Sequence, residues 1–250
     1  CSMHFIFGFR IEKPKEGRWM KRKPKTTLIV VRHGETDWNV CGKYQGHLDS
    51  SLSPLGTKQA EALTEGLSGK DIEAIYSSDL GRAVQTTEII ARKLSLDFRT
   101  DRRLRERHLG VIQGKTIREF MEKYPEEAES YYSGCPDYAL PDGENFRQLY
   151  ERNITCVQEL TDGNLGRKIL IVTHGGVLMS FLYRALNLPL TNSLPVSLFN
   201  ASINIFSILE NQWKLEVWGD TNHLKTMRPL DGIEWLRKNE NGTEGVDGAT

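Results

Sequence analysis

The sequence has little of what would set it apart from an ordinary globular protein. Its four cysteines, Cys1, Cys41, Cys135 and Cys156, are scattered, with no CxxC pair and no neighbouring histidine cluster. That spacing suggests neither a zinc site nor a disulfide framework and reads as free thiols in a reducing compartment. No stretch approaches the roughly 20 apolar residues of a membrane span, and His4 to Phe9 is too short for the apolar core of a secretory signal. Neither sign of charge is in excess: 33 basic side chains stand against 33 acidic ones, so neither a nucleic-acid nor a membrane partner is expected. Internal repeats and long low-complexity segments are missing too. A soluble, cytoplasmic protein is the expectation, with a homodimer left open.

The one local imbalance is at the start. Between Arg10 and Lys25 eight basic residues meet only Glu12 and Glu16, and Pro14 and Pro24 interrupt any amphipathic helix. Residues 1–25 are therefore read as a solvated basic arm or leader. At 250 residues the chain is too short for two α/β domains of roughly 150 each, so one principal domain is expected over 26–225. A polar, glycine-rich tail follows over 226–250.

Within the domain, Leu28-Ile29-Val30-Val31 reads as a buried strand ending at Arg32. Ser53 then Pro54 supply an N-cap and a first-turn proline for a helix to Leu67, with Leu55, Ala60, Leu63 and Leu67 at helical spacing. The order repeats with a strand at Ile72 to Tyr76, the loop Ser77-Ser78-Asp79, and a helix carrying Ala83, Thr87, Ile90, Ala91 and Leu94. It repeats again with a strand at Ile169 to Thr173 and a helix through Leu178, Phe181, Leu182 and Leu186. Such alternation predicts an α/β domain with a mostly parallel sheet covered on both faces. Ile117 to Tyr132 and Phe146 to Leu160 are expected to be helical, and the insertion at about 115–146 to cover the site. Ile203 to Leu209 and Trp213 to Trp218 predict a closing hairpin around Glu210-Asn211-Gln212.

Two of these strands end in histidine: Arg32-His33-Gly34-Glu35 follows one, Thr173-His174-Gly175-Gly176 another. Open α/β sheets bind ligands at that edge. A histidine that is neutral at working pH can attack phosphorus and form a phosphohistidine, and the charge spread over the equatorial oxygens calls for fixed cationic forks. Arg32 and Arg82 have the required planar, bidentate group, for which lysine is a poor substitute.

The sequence RHGE, then Ser77-Ser78-Asp79-Leu80-Gly81-Arg82, then LRERHLG over 104–110, then THGG over 173–176, resembles the histidine phosphatase superfamily with its phosphoglycerate mutase-like members. The resemblance runs from about Thr27 to Leu224. It implies a three-layer α/β/α fold and a two-step reaction that uses no metal and no cofactor. It also implies roles: His33 is phosphorylated, with Arg32, Arg82 and His174 forming the phosphate pocket around it. Glu106 matches the general acid, giving a proton in one half-reaction and taking one in the other. Asn39, Gln45 and Gly175 match positions that touch phosphate or substrate. Glu35 is expected to brace its loop, and His47, His108 and His223 to be structural or surface residues. Glu106 also fits a solvated charged face, since Asp101 to His108 is rich in charge; its place in the family pattern favours the acid.

Hydrolysis and mutation share their first half-reaction, so these residues leave both open. Mutases of the family carry a Tyr three residues after the catalytic Glu and a downstream Arg pair; here Leu109 stands at the first place, and no Arg-Arg dipeptide lies between Glu106 and His174. The expectation is a phosphatase acting on a small phosphorylated metabolite. A phosphoglycerate mutase, or a phospho-ligand binding module without turnover, is the alternative. Leu109 also suggests a substrate with some apolar surface.

Overall fold

The computed structural model describes residues 24–224 and Met227. The expected arm falls almost wholly outside the described residues, and so does the expected tail. The strands are β1 (Thr26–Arg32), β2 (Ala74–Ser77), β3 (Phe98–Thr100), β4 (Lys168–Thr173), β5 (Ile203–Leu209) and β6 (Gln212–Asp220). The α-helices are α1 (Asp37–Val40), α2 (Pro54–Gly66), α3 (Gly81–Leu94), α4 (Ile117–Lys123), α5 (Pro125–Tyr132), α6 (Phe146–Asp162) and α7 (Gly175–Leu186).

The six strands form one sheet in the order β3-β2-β4-β1-β5-β6. β1, β4, β2 and β3 run parallel, while β5 and β6 are antiparallel to their neighbours. Because strand side chains alternate between faces, β1 feeds two cores. Leu28 and Val30 pack with Ile169, Ile171, Val157, Val177 and Phe181 beneath α6 and α7. Ile29 and Val31 pack with Leu170, Val172, Leu63 and Ile90 beneath α2 and α3. This is the three-layer α/β/α fold that the alternating elements predict.

The elements depart from expectation in four places. β2 starts at Ala74 rather than Ile72; Glu73, just before it, meets Lys168 twice, its N–H donating to the Lys168 carbonyl and its carboxylate accepting the Lys168 N–H, each at 2.9 Å. The helix expected over Ile117 to Tyr132 is two helices, because Pro125 supplies no backbone N–H and restarts the chain as the first residue of α5. The hairpin turns on Glu210 and Asn211 alone, both at positive φ (50° and 65°), which is the tight two-residue turn that matches strand twist; Gln212 already belongs to β6. β3, three residues long, has too little pattern to be read. Phe120, Ala128 and Leu140 of the insertion form a small separate core with Leu109 and Ile112 just before it.

Local packing fixes the turn after β1. Ser53 caps α2 by accepting from the Gly56 N–H at 2.9 Å, and its hydroxyl donates to the Glu35 carboxylate at 2.7 Å. Glu35, 4% exposed, thereby braces the loop. A Cβ on Gly34 would lie 2.5 Å from the Gly56 carbonyl oxygen, so the strand end and the helix start approach as closely as two bare backbones allow.

Candidate active site

The strand ladder carries on one step beyond β1 and β2. The His33 N–H donates to the Thr173 carbonyl at 3.0 Å, and the Ser78 N–H to the Val172 carbonyl at 2.9 Å. Three strand ends are thus held side by side, and the rings of His33 and His174 lie 5.2 Å apart between centroids. Both histidines are buried.

The hydrogen bonds fix the His33 tautomer. Nδ1 lies 2.7 Å from the Gly34 carbonyl, which can only accept, so Nδ1 carries the proton. Nε2 is left with its lone pair and accepts from Arg82 Nε at 3.3 Å. Burial, then Arg82 and Arg32 beside it, hold the ring's pKa well below the usual imidazole value. The ring is neutral.

Arg82, 1% exposed, spends its other nitrogens on one short loop. Nη1 donates to the Leu48 carbonyl at 3.0 Å and to Asp49 Oδ1 at 3.1 Å, and Nη2 donates to the Gly46 carbonyl at 2.9 Å. Arg32 Nη1 donates to the Leu198 carbonyl. His174 pairs through Nε2 with Ser78 Oγ at 2.8 Å, while its buried Nδ1 has no partner among the described residues. Burial, with Arg82 next in weight, also holds His174 well below the usual value. Any donor it offers here is the single N–H of a neutral ring, not an imidazolium.

Glu106 faces this cluster across a cavity of about 340 Å³. Its carboxylate accepts the Gly176 N–H at 3.1 Å and the Arg107 N–H at 2.8 Å, and its carbonyl accepts from Arg152 Nη2 and from His47 Nε2, each at 2.8 Å. His33, Arg32, Arg82, Glu106, Asn39 and Gln45 all line the cavity. His174 and Gly175 do not: His174 is fully buried behind His33, Gly175 is buried as the first residue of α7, and it is Gly176 that faces the cavity, where a Cβ would fall on the Glu106 carboxylate. Asn39 is held by accepting from the Thr36 N–H at 3.0 Å, and buried Gln45 has an amide oxygen without a partner among the described residues. Of the histidines expected to be structural, His223 is buried against the Ala201 carbonyl, whereas His47, bonded to the Glu106 carbonyl, meets His108 edge to face at 4.7 Å.

Residues 28–221 match the family model of the histidine phosphatase superfamily (branch 1). The chain belongs to the histidine phosphatase superfamily. Among curated relatives it is 42% identical to phosphoglycerate mutase-like protein 4 of Arabidopsis thaliana, over 79% of this chain and 86% of that one. It is 35% identical to a metal-independent phosphoserine phosphatase of the same plant, over 89% and 96%. Among solved structures, Bacillus stearothermophilus YhfR superposes with a TM-score of 0.76 at 35% identity, covering 80% of this chain and all of that one.

Around this superfamily core lie residues that the motifs do not reveal. Asn200 Nδ2 donates to the His33 carbonyl at 3.1 Å, tying the loop that bears His33 to the segment before β5. Asp49 accepts from Arg82 and from the N–H groups of Gly81 and Arg82 at the start of α3. Arg152 on α6 forks onto Glu144 and three carbonyls, those of Arg103, Arg105 and Glu106. Asp49 and Asn200 sit in stretches with no periodic or motif signal. Arg152 lies on the helix expected over Phe146 to Leu160, but helical spacing says nothing of its partners. Among the described residues, no group of three His, Cys, Asp or Glu is placed to share a metal ion, and no helix is long and apolar enough to cross a membrane. Cys41, Cys135 and Cys156 are free.

Proposed function

We propose that the protein is a metal-independent phosphatase of small phosphomonoesters that works through a phosphohistidine at His33. The observation that carries this reading is the locked tautomer: a neutral imidazole whose Nε2 lone pair faces a guanidinium, with a carboxyl group across the cavity. In the first step Nε2 bonds to phosphorus as the bond to the ester oxygen breaks, and Glu106 gives its proton to that departing oxygen. In the second step water attacks phosphorus and gives a proton to the Glu106 carboxylate. The N–P bond breaks, its electron pair returns to Nε2, and inorganic phosphate leaves. Arg32 and Arg82 neutralise the equatorial oxygens in both steps, joined by an N–H from His174 and by the amides of Asn39 and Gln45.

Water is favoured as acceptor over a second substrate oxygen by the charge of the cavity. Beyond Arg32 and Arg82 its cations are Lys43 and Arg107. Arg107 is committed to the carbonyls of Glu144 and Tyr138, and Arg147 in the cover is paired with Asp137 outside the cavity. A mutase must grip a second anionic group while its intermediate turns over; a phosphatase need not. The name of the phosphoserine phosphatase relative supports hydrolysis, that of the mutase-like relative leaves the alternative in view.

The test is turnover in excess chelator, with aryl phosphates in one arm and 3-phosphoglycerate plus 2,3-bisphosphoglycerate in the other. Phosphate release that survives the chelator, with an acid-labile phosphoenzyme lost in His33→Ala, is the expected result. Mutase flux exceeding phosphate release would replace the reading with the mutase.

A further inference from the structure

A second cavity, of about 500 Å³, adjoins the first and shares three of its walls, Arg107, Tyr131 and Phe146. The shared walls are held in place. Arg107 Nε donates to the Glu144 carbonyl at 2.6 Å, Nη2 donates to the Tyr138 carbonyl at 2.9 Å, and the guanidinium lies 5.3 Å from the Tyr131 ring centre. Phe146 meets Tyr183 of the second cavity at 5.6 Å, so aromatic surface runs from one cavity to the other. No Asp or Glu lines the second cavity, and Met179 adds a polarizable apolar wall.

In an in-line displacement the breaking bond points away from the attacking nitrogen. With His33 Nε2 attacking, the departing oxygen lies on the Glu106 side, where the donor of its proton must be, and the next residue along the chain is Arg107, which faces both cavities. We propose that the second cavity is a leaving-group subsite, and that it takes the aromatic, apolar body of an extended phosphomonoester lying over the Tyr131–Phe146 ridge. The inference rests on the phosphatase reading and names the substrate class of that same site. Each cavity is in the size range of small-molecule sites, and stacking on fixed rings rewards an aromatic body. A substrate as short as a phosphorylated serine leaves the second cavity unused.

The test compares phenyl phosphate, which fits the first cavity, with 4-phenylphenyl phosphate, whose second ring reaches the other and whose phenol is of similar acidity. The parent protein is expected to show kcat/KM at least about tenfold higher for the longer ester, the gain from burying another ring face. Thr191 and Ser193 are exposed and line only the second cavity. Thr191→Trp and Ser193→Trp are each expected to remove that advantage and leave phenyl phosphate turnover within about twofold. Equal kcat/KM for the two esters in the parent, or a longer ester unaffected by either substitution, overturns the subsite while phosphatase activity stands. Failure to hydrolyse phenyl phosphate at all removes the phosphatase reading and the subsite with it. Inhibition of phenyl phosphate turnover by 4-phenylphenol, with phenol inert at the same concentration, checks the cavity without any substitution, and equal inhibition by both counts against it.

Discussion

The Nε2 atom of His33 meets a guanidinium whose every nitrogen is already spoken for, and that is a statement about preorganisation. Arg82 is held by two carbonyls and Asp49 before any ligand arrives, so little reorganisation is left for the moment of reaction. Arg82→Lys keeps the charge but cannot reproduce a fork of this geometry. We expect kcat/KM to fall by roughly 10² to 10³, and steady-state kinetics on an aryl phosphate that found less than a fivefold loss would contradict the placement. The depressed pKa of His33 has its own consequence. Its neutral form persists as pH drops below the usual imidazole value, so kcat/KM should hold level from pH 7.5 to about 6 rather than fall as an ordinary imidazole protonates near 6.5. At this scale the sequence told much: Arg32, His33, Arg82, Glu106, Asn39 and Gln45 meet at one cavity because each sits in or beside a recognisable motif. Asp49, Asn200 and Arg152 were silent, since their value lies in contacts between loops that spacing along the chain does not encode.

Elements place these residues, and two joints between elements are exposed to test. Gly56 opens α2 against the turn after β1, where a Cβ would overlap the Glu35 carbonyl. Neither backbone can retreat, because Glu35 is tied to Gln59 and Ser53. Gly56→Ala should cost about 3 kcal/mol and lower Tm by roughly 6 °C or more, and a Tm within 1 °C of the parent would show the joint to be soft. The second joint is Arg152, through which α6 holds the Glu106 segment. Arg152→Met takes this donor from Glu144 and from three carbonyls, with the Glu106 carbonyl still held by His47 and the Glu144 carboxylate by the His108 N–H; kcat should fall roughly ten- to a hundredfold as Glu106 drifts, with KM changed much less. A loss confined to KM would place Arg152 in substrate binding instead. Helix and strand periodicity was legible for α2, α3, α6, α7 and β1. It failed where one residue outweighed the pattern, as Pro125 did between α4 and α5, or where three residues made a strand, as in β3.

For the whole molecule, the doubly covered sheet was readable from alternating elements, but not which strand ends would touch. β1 and β4 are adjacent although more than 130 residues separate them, and that pairing is what brings His33 and His174 together. Bringing them together under cover has a thermodynamic cost that depends on pH. Burial depresses the pKa of His33, His174, His47 and His223 in the folded protein, whereas in the unfolded chain each titrates near roughly 6.5. Below that pH the unfolded chain binds more protons than the folded one, so stability falls as pH drops through about 6.5 and continues to fall until the folded-state values are reached. Asp79 and Asp101, whose carboxyl pKa values are lowered in the fold, lose their contribution only near and below roughly pH 4, so the two windows separate. Urea midpoints should decline from pH 7.5 through 6.5 to 5.5 at unchanged m-value. His174→Asn, which removes one of the two most deeply buried rings, should shallow that decline even if it lowers stability at neutral pH. Midpoints equal at pH 7.5 and 5.5 would mean that these histidines titrate alike in the folded and unfolded chains, and the neutral His33 on which the proposed mechanism depends would lose its structural basis.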